Sequence, residues 1–248
     1  MPVRLWQTYP PRARGTALPL LGWLTFVIQT LPFLIIEAMP AGRSAPAVSA
    51  DLEIVLSALG PLPAERHAPP HLFVTVGLPG VGKSTFVRRL APAVGAAVLE
   101  SDVLRKRLFG IPVHSNPESA RLFRAIQGAT RLLLRDGINV VIDATNLSEH
   151  DRRPDYVIAK ETGAVLHVMH FVAPEPIVRE RLRQRLLTAE DAFVADEDVY
   201  EALRRTYDPI SVLHTRIVTS DPAATDAALT LLINAVRPLT PAGAGGIA

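Results

Sequence analysis

The chain of 248 residues contains no cysteine. A disulfide framework and a zinc site built on cysteine thiolates are therefore both excluded. The absence is consistent with a reducing compartment. We therefore expect a cytoplasmic protein, with membrane attachment through the N-terminal part of the chain as the alternative.

The chain also lacks an excess of charge of either sign. Its 26 Lys and Arg residues are balanced by 24 Asp and Glu residues, which leaves a formal net charge of +2. Such a balance gives no strong attraction to DNA, RNA or a membrane surface. Hydrophobic residues make up 48% of the chain, which is enough to bury one full core. No internal repeat is visible, so we expect one main folded domain.

Proline divides the chain into unequal parts. Eleven of the 22 prolines fall in the first 70 residues, whereas apolar runs alternate with amphipathic segments from there to about residue 237. We therefore predict an N-terminal extension at 1–68 and a folded domain at 69–237. Within the extension, 51–59 has the apolar spacing of a short helix. Residues 238–248 are rich in Gly, Ala and Pro and lack periodicity, which predicts a disordered tail.

Five apolar segments in the domain predict strands, and amphipathic helices separate them. Each strand is too apolar to have one face in water, which indicates a parallel sheet covered on both sides. The predicted fold class is therefore α/β, a doubly wound, five-stranded parallel sheet that binds ligands at the carboxyl ends of its strands. The predicted strands are Leu72–Val76, Ala97–Glu100, Ile138–Ile142, Ala164–Phe171 and Thr215–Val218.

A phosphate-binding motif follows the first predicted strand. Residues 77–84 read GLPGVGKS and fit the pattern G-x-x-x-x-G-K-[ST] directly before a predicted helix. Glycines let such a loop turn its N–H groups inward, and the helix N-terminus adds positive potential for phosphates. We expect Lys83 to reach the β and γ phosphates of ATP and Ser84 to ligate Mg²⁺. The predicted nucleotide-binding residues are Gly77, Gly80, Val81, Gly82, Lys83, Ser84 and Thr85.

Two carboxylates come at the ends of predicted strands. Asp143 ends the third strand, the position from which a P-loop protein holds magnesium or its waters. The alternative is an Asp that caps the next helix. Asp102 closes the second strand, where a carboxylate could accept the proton of an attacking hydroxyl. Taken alone, an Asp at this position is more often the N-cap of the next helix.

Arginine recurs at every second position of one predicted helix, at 179, 181, 183 and 185. At four-residue spacing Arg179 pairs with Arg183 on one face and Arg181 with Arg185 on another. A loosely anchored helix of this kind could close over a triphosphate, neutralise developing charge and exclude water. The alternative is a solvated arginine face.

Together these elements resemble the polynucleotide-kinase-like group of P-loop kinases, also labelled AAA-type ATPases. The resemblance spans about residues 71–220. It is carried by GLPGVGKST at 77–85, SDVLR at 101–105, VVIDATNLSEHDRR at 140–153, VRERLRQR at 178–185 and YEALRRTYDPI at 200–210. Of these, the D-x-x-R of Asp102 and Arg105 and the DATN of 143–146 are the more specific elements.

The resemblance implies an ATP- and Mg²⁺-dependent kinase that phosphorylates a hydroxyl acceptor, either a nucleic-acid 5′ end or a small molecule such as a sugar, nucleotide sugar or antibiotic. It implies that Asp102 is the general base and that Arg105 contacts the acceptor. It assigns Asn146, with Arg153 or Arg152, to substrate binding, and Arg181 and Arg185 to the lid.

An ATPase switch without an acceptor is the alternative function of another class. The chain departs from the group in having no second catalytic domain and no obvious basic, aromatic-lined channel for a nucleic-acid strand.

The N-terminal extension fits this function poorly. Residues 17–36 form an uncharged apolar run about long enough to cross a bilayer. Three arginines precede it and would tend to stay in the cytoplasm, which would place an ATP-binding domain outside the cell. A signal peptide would have the same effect. The open alternatives are a membrane segment, a packed helix hairpin, or a true start at Met39.

Overall fold

The central strand of the sheet is the one that leads into the phosphate-binding motif. The structure is a computed structural model that describes residues 50–188 and 197–237. Its five strands are all parallel, in the order β2-β3-β1-β4-β5. The predicted fold class is confirmed, and each predicted strand end lies within one residue of the observed end. The strands are β1 (His71–Val76), β2 (Ala96–Glu100), β3 (Asn139–Asp143), β4 (Val165–Val172) and β5 (His214–Val218).

Helices connect the strands and cover both faces of the sheet. In chain order they are α1 (Ala50–Ser57), α2 (Lys83–Ala93), α3 (Ser101–Phe109), α4 (Asn116–Arg135), α5 (Glu149–Thr162), α6 (Glu175–Thr188), α7 (Glu197–Arg204) and α8 (Pro222–Val236). One apolar core joins the sheet to α1, α3, α4 and α5. A second core joins the opposite face to α2, α6, α7 and α8. β1 and β3 are buried along their whole length, and apolar side chains fill the middle of both strands.

Parallel pairing brings the strand ends that carry the predicted chemistry to one edge. Glu100 at the end of β2 is in register with Asp143 at the end of β3. On the other side of β1, Val76 is in register with His170 of β4. The loop after β1 therefore begins at the same level as these two carboxylates, as expected for a ligand site at the carboxyl ends of parallel strands.

Helix α1 comes from the region that the sequence assigned to the extension, yet it is part of the domain core. Val55 is fully buried, and Leu52 lies close against Gly128 of α4. Arg121 of α4 donates two hydrogen bonds of 2.6 Å to Asp51. The folded unit therefore begins at or before residue 50, ahead of the predicted boundary at 69.

The remaining predictions about the chain termini concern residues outside the described ones. These are the apolar run at 17–36, a start at Met39 and the tail at 238–248. Within 50–188 and 197–237, no helix combines the length and the apolar character needed to cross a membrane.

A histidine pair lies near the amino-terminal edge of the sheet, away from the predicted site. The Nδ1 of His71 and the Nε2 of His167 are 2.9 Å apart, and the His167 ring stacks on Phe73. Burial lowers the pKa of His167 to about 4, and the neighbouring His71 adds to the effect. Burial also lowers the pKa of His71. The folded protein therefore holds this pair in its neutral form.

We predict that the contact of α1 with the domain is needed for full stability. Val55→Ala should lower the free energy of unfolding by about 2 kcal/mol, because two buried methyl groups are lost. Ile54→Ala on the same helix is the matched control, since Ile54 is 37% exposed and its loss should cost well under about 1 kcal/mol. Urea denaturation measures both.

A chain that begins at Pro69 should accordingly be less stable than one that begins at Met39, because only the longer one retains α1. Equal stability of these two chains, or a loss in Val55→Ala as small as that expected for Ile54→Ala, would show that α1 contributes little to the fold.

We predict that stability falls as the pH drops from about 6.5 to about 4. A histidine whose folded pKa lies below its unfolded value of about 6.5 is protonated more readily when unfolded, so acid favours unfolding across that interval. The unfolding midpoint in urea, followed against pH, should decline less steeply in His167→Gln than in the wild type. Parallel pH profiles would contradict this account.

Candidate active site

The loop between β1 and α2 has the shape that its motif requires. Gly77 and Gly80 have φ angles of 153° and 78°, which disfavour residues with side chains. Neighbouring segments of the same chain also leave no room for a side chain at either position. A Cβ at Gly77 would lie 2.8 Å from the carbonyl oxygen of Phe171, and one at Gly80 would lie 3.0 Å from Leu182 of α6. The backbone thus passes closely between β4 and α6.

Lys83 begins α2 and lies inside this loop. Its Nζ donates hydrogen bonds to the carbonyl oxygens of Gly77 at 2.9 Å and Leu78 at 3.0 Å. Burial lowers the pKa of Lys83 to about 8, opposed by the nearby charges of Asp143 and Asp102. The ammonium group is therefore poorly compensated in the protein alone, and an anionic phosphate beside it would supply the missing charge.

Asp143 lies next to the start of α2, where the sequence predicts a magnesium ligand. Its side chain is 3% exposed, and its Oδ2 has no hydrogen-bond partner among the described residues. Burial raises the pKa of Asp143, while a hydrogen bond with Ser84, the charge of Lys83 and a weak contact from Thr75 oppose the rise. A buried, half-satisfied carboxylate hydrogen-bonded to a hydroxyl is a donor set that suits Mg²⁺.

The part of the chain that the structure describes contains no group of three or more His, Cys, Asp or Glu side chains arranged to hold a metal. A P-loop magnesium site does not need such a group, because the hydroxyl, one carboxylate and the phosphates of the nucleotide share the coordination. Ser84 and Asp143 therefore fit a metal that arrives with its nucleotide. They do not form a site for a free ion.

Asp102 occupies a different position from the one its sequence suggested. The strand ends at Glu100, and Asp102 lies exposed in the first turn of α3. Glu100 occupies the N-cap position, so Asp102 is not the cap of this helix. The charge of Asp102 acts on the pKa of Lys83, Glu100 and Asp143. This solvent-facing carboxylate is therefore close to the phosphate loop.

Glu100 is a site residue that the sequence analysis missed. It is half-buried beside Asp143, and burial raises its pKa, with further increases from the charges of Asp143 and Asp102. Its position at the carboxyl end of a strand was the available signal. The nearby Asp102, with its family resemblance, drew the assignment instead.

Arg105 is turned toward α4 and away from open solvent. It is 7% exposed, and its guanidinium donates to Glu118 Oε1 at 2.9 Å and to Ser119 Oγ at 3.2 Å. The second oxygen of Glu118 accepts from the Val113 N–H at 2.9 Å. The Nε of Arg105 has no hydrogen-bond partner among the described residues, so the acceptor contact that the resemblance implies stays a prediction that would have to use this buried donor or replace part of the pairing.

The predicted substrate contacts after β3 are placed differently from expectation. Asn146 is 3% exposed, has a φ of 44°, and donates its side-chain amide to the Thr75 carbonyl at 2.9 Å. Its amide nitrogen therefore secures the loop after β3 to the end of β1. The assignment of Asn146 to substrate binding stays a prediction.

Of the two candidate arginines in this region, Arg152 is entirely buried and Arg153 is exposed on α5. Arg152 is a structural residue that joins α5 to the segment before β5. Arg153 remains the one of the two that a substrate can reach. The acceptors of the Arg152 guanidinium are the carbonyls of Asn146, Leu147, Asp208 and Pro209 and the carboxylate of Glu149.

The arginines of α6 separate onto two faces, as their spacing predicts. Arg179 pairs with Glu175 and Glu201 and therefore holds α7 against α6. Arg183 is exposed and lies 3.8 Å from Glu180. These two residues belong to the face away from the phosphate loop.

Arg181 and Arg185 belong to the face toward the phosphate loop. Arg181 donates to the hydroxyl of Thr219 at 3.1 Å and to its carbonyl at 3.2 Å. The Thr219 hydroxyl in turn donates to the Val81 carbonyl at 2.6 Å. Arg185 is exposed, and its charge acts on the pKa of both Lys83 and Glu100. Thr219, which follows β5, was also missed, because nothing in its local sequence marks it.

Lys83 generates a prediction about pH. The affinity of the protein for ATP should decrease above about pH 8, approaching roughly tenfold per pH unit, because Lys83 must be protonated to pair with the phosphates. Calorimetric titration of the protein with ATP and Mg²⁺ from pH 7 to 9.5 measures the effect.

Lys83→Ala is the control for this pH dependence. It should bind weakly, show no such dependence, and lower any phosphoryl transfer by roughly 10²- to 10³-fold. A flat wild-type profile, or normal transfer in the variant, would be incompatible with this role.

Comparisons with known proteins agree with this geometry. Among solved structures, the fold resembles the Mycobacterium tuberculosis APS kinase CysC in complex with AMPPNP and APS, with a TM-score of 0.52, 18% identity, and coverage of 67% of this chain and 98% of that one. Chaetomium thermophilum Kti12 in complex with ADP-AlF3 has a TM-score of 0.54, 19% identity, and coverage of 67% and 100%. A sugar kinase from Janibacter sp. has a TM-score of 0.51, 16% identity, and coverage of 68% and 99%. At such identities the likeness shows the fold alone.

A sequence relative is an uncharacterized protein of Mycobacterium tuberculosis, which is 34% identical over 139 residues. The match covers 51% of this chain and 28% of that protein, so the chain spans little more than a quarter of the length of this curated relative. The family model AAA_33, described as an AAA domain, matches residues 72–210, more than half of the chain. The chain therefore belongs to the AAA_33 family of AAA domains and has the fold of the P-loop kinases.

Proposed function

We propose that the protein is a kinase that transfers the γ-phosphoryl group of ATP to a hydroxyl of a small molecule. The observation that carries the proposal is the exposed carboxylate of Asp102 at the start of α3, the charge of which acts on the buried ammonium of Lys83. Binding and hydrolysis of ATP need the phosphate loop, whereas transfer also needs a base that an acceptor hydroxyl can reach. Asp102 meets that requirement.

In the proposed reaction the phosphate loop and Lys83 hold the β and γ phosphates of ATP. Ser84 and Asp143 hold Mg²⁺, which when bound supplies positive charge to the phosphate oxygens. Asp102 accepts the proton of the acceptor hydroxyl as its oxygen forms a bond to the γ phosphorus. The bond from that phosphorus to the β–γ bridging oxygen breaks, and ADP leaves.

The α6 face toward the loop would stabilise the transferred group. Arg185 is exposed and its charge already acts on Lys83, so we assign it to the γ phosphate. Arg181 is tied to Thr219 beside the loop, so we assign it to holding α6 in place and to lining the nucleotide. Both assignments keep the predicted arginine pair in the site but give its members different roles.

A small-molecule acceptor is favoured over a nucleic-acid 5′ end. The solved structures that share the fold include an APS kinase bound to AMPPNP and APS, and a sugar kinase, which supports the alternative that the sequence left second. The balanced charge of the chain points the same way, since it offers no general attraction to polyanions. Transfer from labelled ATP to sugars, nucleosides, aminoglycosides and DNA or RNA 5′-hydroxyl ends tests the proposal.

In that panel, labelled phosphate on a small acceptor supports the proposal. Label on nucleic-acid ends alone would restore the polynucleotide interpretation. Release of inorganic phosphate at the same rate with and without every acceptor would indicate an ATPase switch.

We predict that Asp102→Asn lowers kcat for transfer by roughly 10²- to 10⁴-fold while ATP affinity changes little. Stability should change by less than about 1 kcal/mol, because Asp102 contributes to α3 only through the helix dipole. Asp226→Asn removes an exposed carboxylate from an ion pair with Arg89 on α2 and is the control. Transfer that survives in Asp102→Asn but is lost in Glu100→Gln would move the base to Glu100.

A further inference from the structure

The buried ion pair between Arg105 and Glu118 lies next to the proposed base. Arg105 is on the helix that begins with Asp102, and both members of the pair are 7% exposed. Their charged atoms are 2.9 Å apart. Burial opposes the ionisation of Glu118, but the hydrogen bonds from Arg105 and the Val113 N–H outweigh it, so the pKa of Glu118 lies below its usual value. Both members of the pair are therefore ionised at neutral pH, and their opposite charges cancel.

This pairing limits what Arg105 can offer a ligand. The two terminal nitrogens of its guanidinium already donate, one to Glu118 and one to Ser119, and its Nε is buried without a hydrogen-bond partner among the described residues. An anionic ligand that took Arg105 over would leave the buried Glu118 carboxylate without its cation, which is strongly unfavourable. An anion on this side would therefore gain little from Arg105 in the wild-type protein.

The other charges near the strand ends where the acceptor would bind, which we call the acceptor side, are mostly negative. Glu100 at the end of β2 is in register with Asp143 at the end of β3, and Asp102 is the second residue of α3. Asp143 is committed to the metal in the proposed mechanism, which leaves Glu100 and Asp102 toward the acceptor. Burial, followed by the charge of Arg105, lowers the pKa of His114, so this exposed neighbour favours its neutral form.

The remaining cations lie on other sides of this group. The basic residues Lys106 and Arg107 are in the last turn of α3, further from the strand ends. Arg185 and Arg88 approach Glu100 from the helices that flank the phosphate loop. Arg153, the exposed arginine that a substrate can reach, lies on α5. The acceptor side thus combines two carboxylates with a neutralised arginine, and an anion placed there would be repelled.

We propose that Glu118 is a specificity-determining residue. By holding Arg105 in a neutral pair, it makes the site select small hydroxyl compounds that are uncharged or carry an amine, and reject those that carry a phosphate or a carboxylate. The inference rests on the proposed kinase function and names the class of its acceptor. Glu118 acts through Arg105 and through the electrostatic potential of the site and does not contact the reacting atoms.

The test compares acceptors that share one skeleton and differ in charge. Glucose, glucosamine and glucuronate form one set, and a nucleoside with its 3′-phosphate forms another. Transfer from labelled ATP gives kcat/KM for each member. The wild type should use the neutral or amine member at least tenfold better than the acid. Glu118→Gln leaves Arg105 unpaired, so the ratio of acid to neutral acceptor should rise at least tenfold.

Two variants separate charge from structure. Arg105→Gln combined with Glu118→Gln retains hydrogen-bonding side chains without either charge, and its acceptor ratio should return toward that of the wild type. Glu161→Gln removes an exposed carboxylate on α5 that pairs with Arg131 of α4, the helix that carries Glu118. This variant should leave the ratio unchanged. Thermal unfolding and ATP titration verify that each variant is folded. If Glu118→Gln alone does not fold, the wild-type ratio of acid to neutral acceptor still tests the inference, because a preference for the acid members contradicts it.

A wild-type preference for the acid members would overturn the inference and leave the kinase proposal intact. An unchanged ratio in folded Glu118→Gln would likewise overturn it, because the discrimination would then not depend on this residue. Failure to transfer to any acceptor, with ATP bound normally, would count against the proposed function itself, and the inference would fall with it.

Discussion

The hydrogen bonds between the end of β1 and the loop after β3 fix the geometry on which the candidate site depends. The Thr75 hydroxyl donates to the Ala144 carbonyl at 2.7 Å and accepts from the Ala144 N–H at 3.0 Å. Asn146 donates to the Thr75 carbonyl, and the Gly77 N–H donates to the Thr145 carbonyl at 2.9 Å. These contacts lock the phosphate loop to the loop that follows Asp143. The carboxylate and the start of α2 are therefore held together before any ligand binds.

That fixed arrangement keeps two opposite charges in a place where neither is fully satisfied. Burial lowers the pKa of Lys83 and raises that of Asp143, so each group is shifted toward its uncharged form. Only partial compensation comes from the attraction between them. A magnesium nucleotide would place phosphate beside the ammonium and a cation beside the carboxylate, which favours the charged form of both. Burial therefore costs stability in the free protein and prepares the site for its ligand.

The sequence was sufficient where structure is determined locally. The strand ends were predicted within one residue because the strands of a parallel sheet covered by helices are largely apolar runs, and the phosphate loop was recognisable because strand, glycines and helix are contiguous. The docking of α1 on α4 could not be predicted, since its apolar spacing does not say what it packs against. Arg152 and Asn146 belong to the same category. Both look like polar loop residues, and only the folded chain shows that their donors are used by carbonyls from distant segments.

The two-residue spacing of arginines on α6 predicted the two faces of this helix, but it did not predict how firmly the helix is packed. The expected loosely anchored lid is not what the described part of α6 forms. Val178 and Leu182 are buried in the core, and Leu182 lies against Gly80 of the phosphate loop. Arg181 adds hydrogen bonds to Thr219, so the first turns of α6 are part of the wall of the site. Arg185 follows Arg181 one turn later, is exposed, and acts through its charge on the pKa of Lys83. The predicted arginine pair is therefore divided between one residue that anchors α6 to the site and one that solvent and a nucleotide can reach.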